Sequence, residues 1–111
     1  MELYEQIQQK TKELDVSIKA LRKTGTAYAE AEREYKVQLR IECLKLRDEG
    51  MAIGMIDKTC YGIPKIAELR FKRDVAEAVY KANLESINSI KLQLRLLDAQ
   101  LTREWGAELP D

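Results

Sequence analysis

Hydrophobic residues in the C-terminal part of the chain recur at alternating spacings of three and four. All positions of this repeat except an arginine and an asparagine are apolar. They are Ile66, Leu69, Arg73, Ala76, Tyr80, Asn83, Ile87, Ile90, Leu94, Leu97 and Leu101. Side chains three and four residues apart lie on one helical face, so the repeat predicts a long helix over about 65–105 with a coiled-coil-like seam. Such a helix, about 60 Å long, needs a partner helix to cover this face.

A first helix is predicted over about residues 2–49, with two heptad positions that are largely apolar. The first position holds Ile7, Leu14, Leu21, Tyr28 and Tyr35. The complementary position holds Tyr4, Thr11, Ile18, Gly25, Leu39 and Leu46. Gly25 costs about 1 kcal/mol in a helix interior, so we expect a kink or a short break there.

Residues 50–64 read as a connector between the two long helices. Gly50 suits the left-handed position that ends a helix, and Pro64 suits the first turn of the next one. The apolar stretch from Ile53 to Tyr61 is long enough for one short helix. We expect Gly106 to end the second long helix and Pro110 to lie beyond it.

The apolar residues of the connector allow two interpretations. They can cap one end of the helical core, which we favour, or they can form an exposed methionine-rich surface that binds a partner. The candidate partner-binding residues are Met51, Ile53, Met55, Tyr61 and Ile63. Ile56 belongs to the same apolar group.

A second stripe of apolar and small residues follows another face of the second long helix. Its members are Phe71, Val75, Ala78, Ala82, Ser89, Leu92, Leu96 and Ala99. A helix that is apolar on two faces packs on both, and a partner within the chain covers only one. The fold expected is therefore all-α, a single domain over 1–111: a long antiparallel helical hairpin with a short helical connector. It should self-associate into a four-helix bundle, most simply as an antiparallel dimer.

The charge balance argues against a general attraction to nucleic acid, since lysine plus arginine and aspartate plus glutamate each number 19. A local basic group near the connector remains a candidate for nucleic-acid binding. Its members are Arg40, Arg47, Lys65, Arg70 and Lys72. Acidic residues are interleaved with them, so a salt-bridged surface is the favoured interpretation.

Residues that support catalysis are scarce. The chain has no histidine, the commonest general base and metal ligand, and it lacks phosphate-loop and nucleophile-elbow motifs. We therefore expect no enzyme activity, no metal and no cofactor. Cys43 and Cys60 should be free thiols in a reducing cytosol, although a disulfide between them stays open. The polar N-terminus and the lack of a long apolar run predict a cytoplasmic protein without a signal peptide or membrane span.

Three short motifs in the second long helix carry a resemblance to a known group of proteins. They are LRF-x-x-DVAEA-x-YK (Leu69–Lys81), E-x-IN-x-x-KLQ (Glu85–Gln93) and REW (Arg103–Trp105). Together with the tyrosine-rich first helix and the RxEG-like stretch Arg47–Gly50, they resemble small helical early-region proteins of temperate phages and prophages of Gram-positive bacteria. The resemblance implies a phage protein that binds another macromolecule, and it carries over no catalytic residue.

These observations favour a non-enzymatic phage protein that acts by protein–protein contact in the host cytoplasm. A small inhibitor of a host defence or nuclease system, anti-CRISPR-like, fits the size of the chain and the lack of catalytic residues. An accessory protein of phage recombination or replication that binds single-stranded DNA is the alternative. A nucleotide-binding sponge is a third possibility, which would need a pocket at an oligomer interface.

Overall fold

A computed structural model describes residues 2–108, and the side chains of residues 2–106. Over this range the chain forms three α-helices and no strand. They are α1 (Leu3–Asp48), α2 (Ile53–Tyr61) and α3 (Pro64–Glu108). The all-α fold class predicted from the hydrophobic spacing is therefore confirmed.

Helix α1 passes through Gly25 without interruption, so the expected break is absent. A Cβ built on Gly25 would lie 3.3 Å from Cε1 of Tyr80 on α3. The aromatic ring thus occupies the space that a side chain would need. The glycine allows close helix contact, and the strong helix formers before Thr24 and after Thr26 keep the helix continuous.

The end of α1 is a Schellman motif centred on Gly50. The Gly50 N–H donates to the Arg47 carbonyl at 3.0 Å, and the Met51 N–H donates to the Leu46 carbonyl at 3.1 Å. Gly50 has a φ of 88°, the left-handed conformation in which a Cβ is strained. The sequence-based prediction for this residue is confirmed.

The turn between α2 and α3 consists of residues 62–63. The Ile63 N–H donates to the Cys60 carbonyl at 3.2 Å, and the Ala67 N–H donates to the Ile63 carbonyl at 2.9 Å. Pro64 is the first residue of α3, a position where a backbone N–H would form no hydrogen bond within the helix, so the lack of one costs nothing. At the other end the prediction is wrong, because α3 continues through Gly106 to Glu108. Glycine lowers helix propensity without forbidding a helix, and the expected position of Pro110 lies outside the described residues.

Contacts divide the chain into two compact units. The central unit is Thr24–Tyr80, and the terminal unit combines the residues up to Lys23 with those from Lys81 onward. In the central unit the most buried side chains are Tyr35, Ile56, Cys60 and Ile66. In the terminal unit they are Ile87 and Ile90.

Every position of the seam predicted on α3 is buried or half-buried within its own unit. On α1 the heptad series from Ile7 to Tyr35 is covered as well, whereas the complementary prediction is wrong at Tyr4, Thr11 and Ile18, which are exposed. Residues one position earlier are half-buried instead. They are Leu3, Lys10 and Ser17. A straight helix rotates by about 20° per heptad relative to a strict seven-residue repeat. Over the length of α1 this rotation shifts the contacting position by about one residue.

Candidate protein-interaction surface

The short helix α2 presents one face to the core and the other to solvent. Ile56 and Cys60, four residues apart, are buried, and Cys60 contacts Cys43 and Leu39 of α1. On the outer face Met55 is 54% exposed, and Ile53, the first residue of the helix, is 80% exposed. Tyr61, the last residue of the helix, is 45% exposed.

The capping role favoured from the sequence is therefore correct only in part. Ile56 caps the core, and Met51 and Ile63 are half-buried at the two turns. Met55 does not cap the core, because it lies outside the face of α2 that holds Ile56 and Cys60. Ile53 lies three residues before Ile56 on the same face, but it is exposed at the first residue of the helix. The structure thus separates residues that hydrophobicity alone had grouped together.

A cleft of about 270 Å³ lies between α2 and the last turns of α1. Leu44, Ile53 and the buried Ile56 give it an apolar lining. Arg40 and Arg47, two helical turns apart, add two guanidinium groups, and Asp57 adds one carboxylate. Across the described chain neither arginine forms an ion pair with the protein. The cleft therefore combines apolar area with two cations available to an external anion.

Sequence reasoning missed an apolar strip on α1 beside this cleft. Val37, Ile41 and Leu44 are exposed and lie on one helical face, since they are spaced by four and three. That spacing was the available signal. These residues fall outside the two heptad positions that the sequence predicts as the core of the helix.

Tyr61 is held by a neighbouring cation. The guanidinium carbon of Arg70 lies 5.5 Å from the centroid of the Tyr61 ring, within cation–π range. This contact gives an exposed aromatic side chain a defined position before any partner arrives.

Of the five candidate nucleic-acid-binding residues, the structure brings Arg40 and Arg47 to one cleft and places Arg70 against Tyr61. Lys65 and Lys72 are exposed on α3. Within the described residues no contact joins either lysine to the cleft. The five residues all belong to the central unit, where acidic and basic residues are equal in number.

Arg73, the cation within the α3 seam, has the acidic partners that its position required. Its Nε donates to Asp74 Oδ1 at 2.8 Å, and its Nη1 lies 3.5 Å from Glu32 Oε2 on α1. The guanidinium also stacks over the Tyr35 ring at 4.7 Å. Burial lowers the pKa of Arg73, but the hydrogen bond to Asp74 and the charges of both carboxylates more than offset this, so the pKa lies above its ordinary value. This arginine is a structural cation rather than part of the open surface.

Asn83, the other polar residue of the seam, lies in the terminal unit. Its side-chain amide donates to the Ser17 carbonyl on α1 at 2.9 Å. The Ser17 and Ser86 hydroxyls are 3.4 Å apart beside it. These polar contacts align α1 with α3 in that unit.

The second stripe of α3, predicted as an oligomer interface, is exposed in both units. In the central unit Phe71 is 62% exposed, and Val75 and Ala78 are exposed beside it. In the terminal unit Leu96 is 62% exposed, with Ala82 and Leu92 also exposed. These side chains are therefore available for contact with another molecule.

The two cysteine thiols meet at the inner wall of the cleft. Cys43 Sγ donates to Cys60 Sγ at 3.3 Å, and Cys60 Sγ donates to the Leu39 carbonyl at 3.8 Å. Burial, followed by the hydrogen-bond and charge interactions with Cys43 and by the charges of Glu42 and Asp57, raises the pKa of Cys60 to about 11. Among the described residues no three metal-ligating side chains cluster.

No helix among the described residues is both long and apolar enough to span a bilayer. Comparisons with protein-family models, with curated proteins and with solved structures find no match. The proposed contact surface therefore rests on the chemistry of the chain's own side chains.

Proposed function

We propose that this chain is a non-enzymatic protein that acts by contact with another protein. The contact surface comprises the outer face of α2 and the adjoining end of α1. The observation that carries the proposal is the exposure of Ile53, Met55 and Tyr61 on α2, together with a cleft between α2 and α1 that holds two arginines paired by no carboxylate of the described chain. Exposed apolar groups rimmed by polar residues are typical of interaction sites.

The side chains of this surface are types that dominate binding energies at protein interfaces. Methionine adapts its shape to a partner, and tyrosine and arginine are enriched among binding hot spots. Because Arg70 already positions the Tyr61 ring, little conformational freedom is lost there on binding. A partner with an apolar projection flanked by carboxylates fits best, since Arg40 and Arg47 can each form bidentate bonds to a carboxylate.

The particular role proposed is inhibition of a host defence or nuclease system, in the manner of an anti-CRISPR protein. Support for this role comes from the resemblance of the α3 motifs to phage early-region proteins. The partner is then a host or phage protein encountered in the host cytoplasm, and the chain needs neither a cofactor nor a metal to act on it.

The proposed assembly is a long antiparallel helical hairpin that pairs with a second copy. Support in the central unit comes from α1–α3 contacts that run in opposite order along the two helices. Tyr28 faces Tyr80, whereas Tyr35 faces Arg73. The exposed second stripe of α3 supplies the apolar area for a second chain, and small residues such as Ala78 allow helices to approach closely.

The test uses tagged protein and cross-linking in lysate of a phage-susceptible host. Met55→Glu places a charge in the apolar surface, and Tyr61→Ala removes the aromatic anchor, so each should reduce capture of a specific partner at least tenfold. Val16→Glu is the matched control, because Val16 is an exposed apolar residue of the terminal unit. Unchanged capture by both surface variants, or equal loss with Val16→Glu, would overturn the proposal.

A single-stranded-DNA-binding accessory protein is the second candidate. It is favoured by Arg40 and Arg47, which have no ion-pair partner among the described residues, and by the Arg70–Tyr61 pair, an arrangement on which a base could stack. Labelled oligonucleotide anisotropy at low and high salt tests it, because phosphate contacts make binding strongly salt-dependent. Salt-sensitive binding that Arg40→Ala and Arg47→Ala weaken would favour DNA, whereas no binding at low salt removes this candidate.

A further inference from the structure

We propose that Cys43 and Cys60 form a modification site, a dithiol that small-molecule disulfides such as oxidised glutathione convert into an internal disulfide between α1 and α2. The two sulfur atoms are 3.3 Å apart. A disulfide bond is about 2.05 Å long, so they must approach by little more than 1 Å. The thiols come from different helices, and α2 is a short helix between two turns, which can make that adjustment.

The surroundings of the pair determine which sulfur reacts first. Cys43 is half-buried and lines the cleft, so a small oxidant reaches it from solvent. Cys60 is completely buried, and the carboxylates of Glu42 and Asp57 add to the effects that keep it protonated. Cys43 is therefore the entry point, and Cys60 is the resolving thiol.

The reaction balances in two exchange steps. The Cys43 thiolate attacks one sulfur of oxidised glutathione, forms a mixed disulfide and releases one glutathione thiolate. Cys60 then loses its proton and attacks the Cys43 sulfur, and the second glutathione leaves as a thiolate. Two protein thiols are oxidised to one disulfide, and one glutathione disulfide is reduced to two thiols. Excess reduced glutathione or dithiothreitol reverses both steps.

The bond would fasten α2 to the end of α1. The two cysteines are 17 positions apart, and cross-links that close loops of this length stabilise folded proteins. The outer face of α2 would remain exposed while its backbone lost freedom. This proposal does not depend on the identity of any binding partner.

Intact mass spectrometry of the full chain, incubated with oxidised glutathione near pH 8, tests the proposal. Wild-type protein should lose the mass of two hydrogen atoms, lose both titratable thiols and remain uncross-linked on a non-reducing gel. Its melting temperature should rise by about 5 °C or more, and dithiothreitol should reverse the change. Stable glutathione adducts, interchain disulfides or two persistent thiols in the wild type would each overturn the proposal.

Serine variants assign the two roles. Cys60→Ser should stop at the mixed disulfide on Cys43, because the resolving thiol is missing. Cys43→Ser should react at least tenfold more slowly, because the remaining thiol is buried. Circular dichroism confirms that each variant is folded. In the wild type the second step should accelerate about tenfold per pH unit between pH 7 and pH 9, since the Cys60 thiolate is the attacking species.

Discussion

Gly25 on α1 lies directly against the ring of Tyr80 on α3, and a Cβ at this glycine would be 3.3 Å from the ring. The same ring packs against Tyr28 with centroids 5.9 Å apart. The glycine is therefore a packing feature of the central unit. Glycine lowers the helix propensity at this position, but it allows an aromatic side chain to approach the backbone closely.

The effect of Gly25→Ala on the free energy of unfolding is predicted to depend on Tyr80. Alanine favours the helix by about 1 kcal/mol, but in the wild type its Cβ presses on the Tyr80 ring and cancels most of this gain. In a Tyr80→Ala background the gain should appear in full. A urea-denaturation double-mutant cycle should therefore show a coupling of at least about 0.5 kcal/mol.

Gly54→Ala is the matched control for this cycle. Gly54 lies in α2 with no atom within 4 Å of a built Cβ. Its replacement should stabilise the protein to the same extent with and without Tyr80. Equal effects of Gly25→Ala in both backgrounds would show that the ring does not limit this position.

Removal of Arg73 is predicted to destabilise the central unit. Arg73→Ala breaks the contact with Glu32, the hydrogen bond to Asp74 and the stacking on Tyr35, and should cost about 1–3 kcal/mol of unfolding free energy. Arg73→Lys keeps the charge but loses the planar stacking, so it should recover less than half of that loss.

The surface ion pair between Lys19 and Asp15 provides the comparison. Both side chains are well exposed, although Nζ and Oδ2 are only 2.8 Å apart. Solvent screening makes such pairs weak, so Lys19→Ala should leave the denaturation midpoint unchanged. A loss as large as that of Arg73→Ala would mean that burial does not distinguish the two sites.

The part of the fold that could be predicted from the sequence is the part governed by local periodicity. The α3 seam repeats over many turns, and Gly50 and Pro64 have backbone preferences that act locally, so each was assigned correctly. The exposure of Ile53 could not be inferred in this way. Ile53 lies three residues before the buried Ile56, so periodicity places it on the buried face, and its exposure depends on where the first turn of α2 lies relative to α1.

Contacts between residues that are distant in sequence also could not be predicted from local patterns. Asn83 could be recognised as a polar residue within an apolar seam, but its acceptor is a backbone carbonyl, that of Ser17, which has no side-chain signature. The Cys43–Cys60 contact depends on the course of the chain around Gly50. The open cleft depends on the same turn, which brings Ile53 beside Leu44.

Asn83 is predicted to favour a defined helix alignment over maximal stability. Asn83→Leu replaces an amide in an apolar seam with a larger apolar side chain, and should raise the unfolding free energy by about 1 kcal/mol. Without the hydrogen bond to Ser17, alternative alignments become accessible, so sedimentation velocity should show a broader distribution of species. Asn88→Leu, an exposed site on the same helix, should produce neither change.

The buried thiol predicts a pH dependence in alkaline solution. Folding raises the pKa of Cys60 from 9.0 to about 11, so the folded state holds this proton more tightly than the unfolded state does. The resulting stabilisation is fully present below pH 9 and is lost as the pH rises through 11. Under reducing conditions the melting temperature should fall less steeply over this interval in Cys60→Ala than in the wild type. Equal slopes of melting temperature against pH in the two proteins would show that Cys60 does not cause this pH dependence.

Self-association through the second stripe of α3 is the prediction on which the proposed assembly depends. Val75→Glu in the central unit and Leu96→Glu in the terminal unit each place a carboxylate among exposed apolar residues, where a second chain would have to desolvate it. Each variant should lower the mass measured by static light scattering to that of a monomer, with helicity unchanged. Ile18→Glu introduces the same charge at an exposed position of α1 and should leave the dimer intact. A monomeric wild-type protein at high concentration would refute this interface, because there would then be no dimer for the substitutions to dissociate.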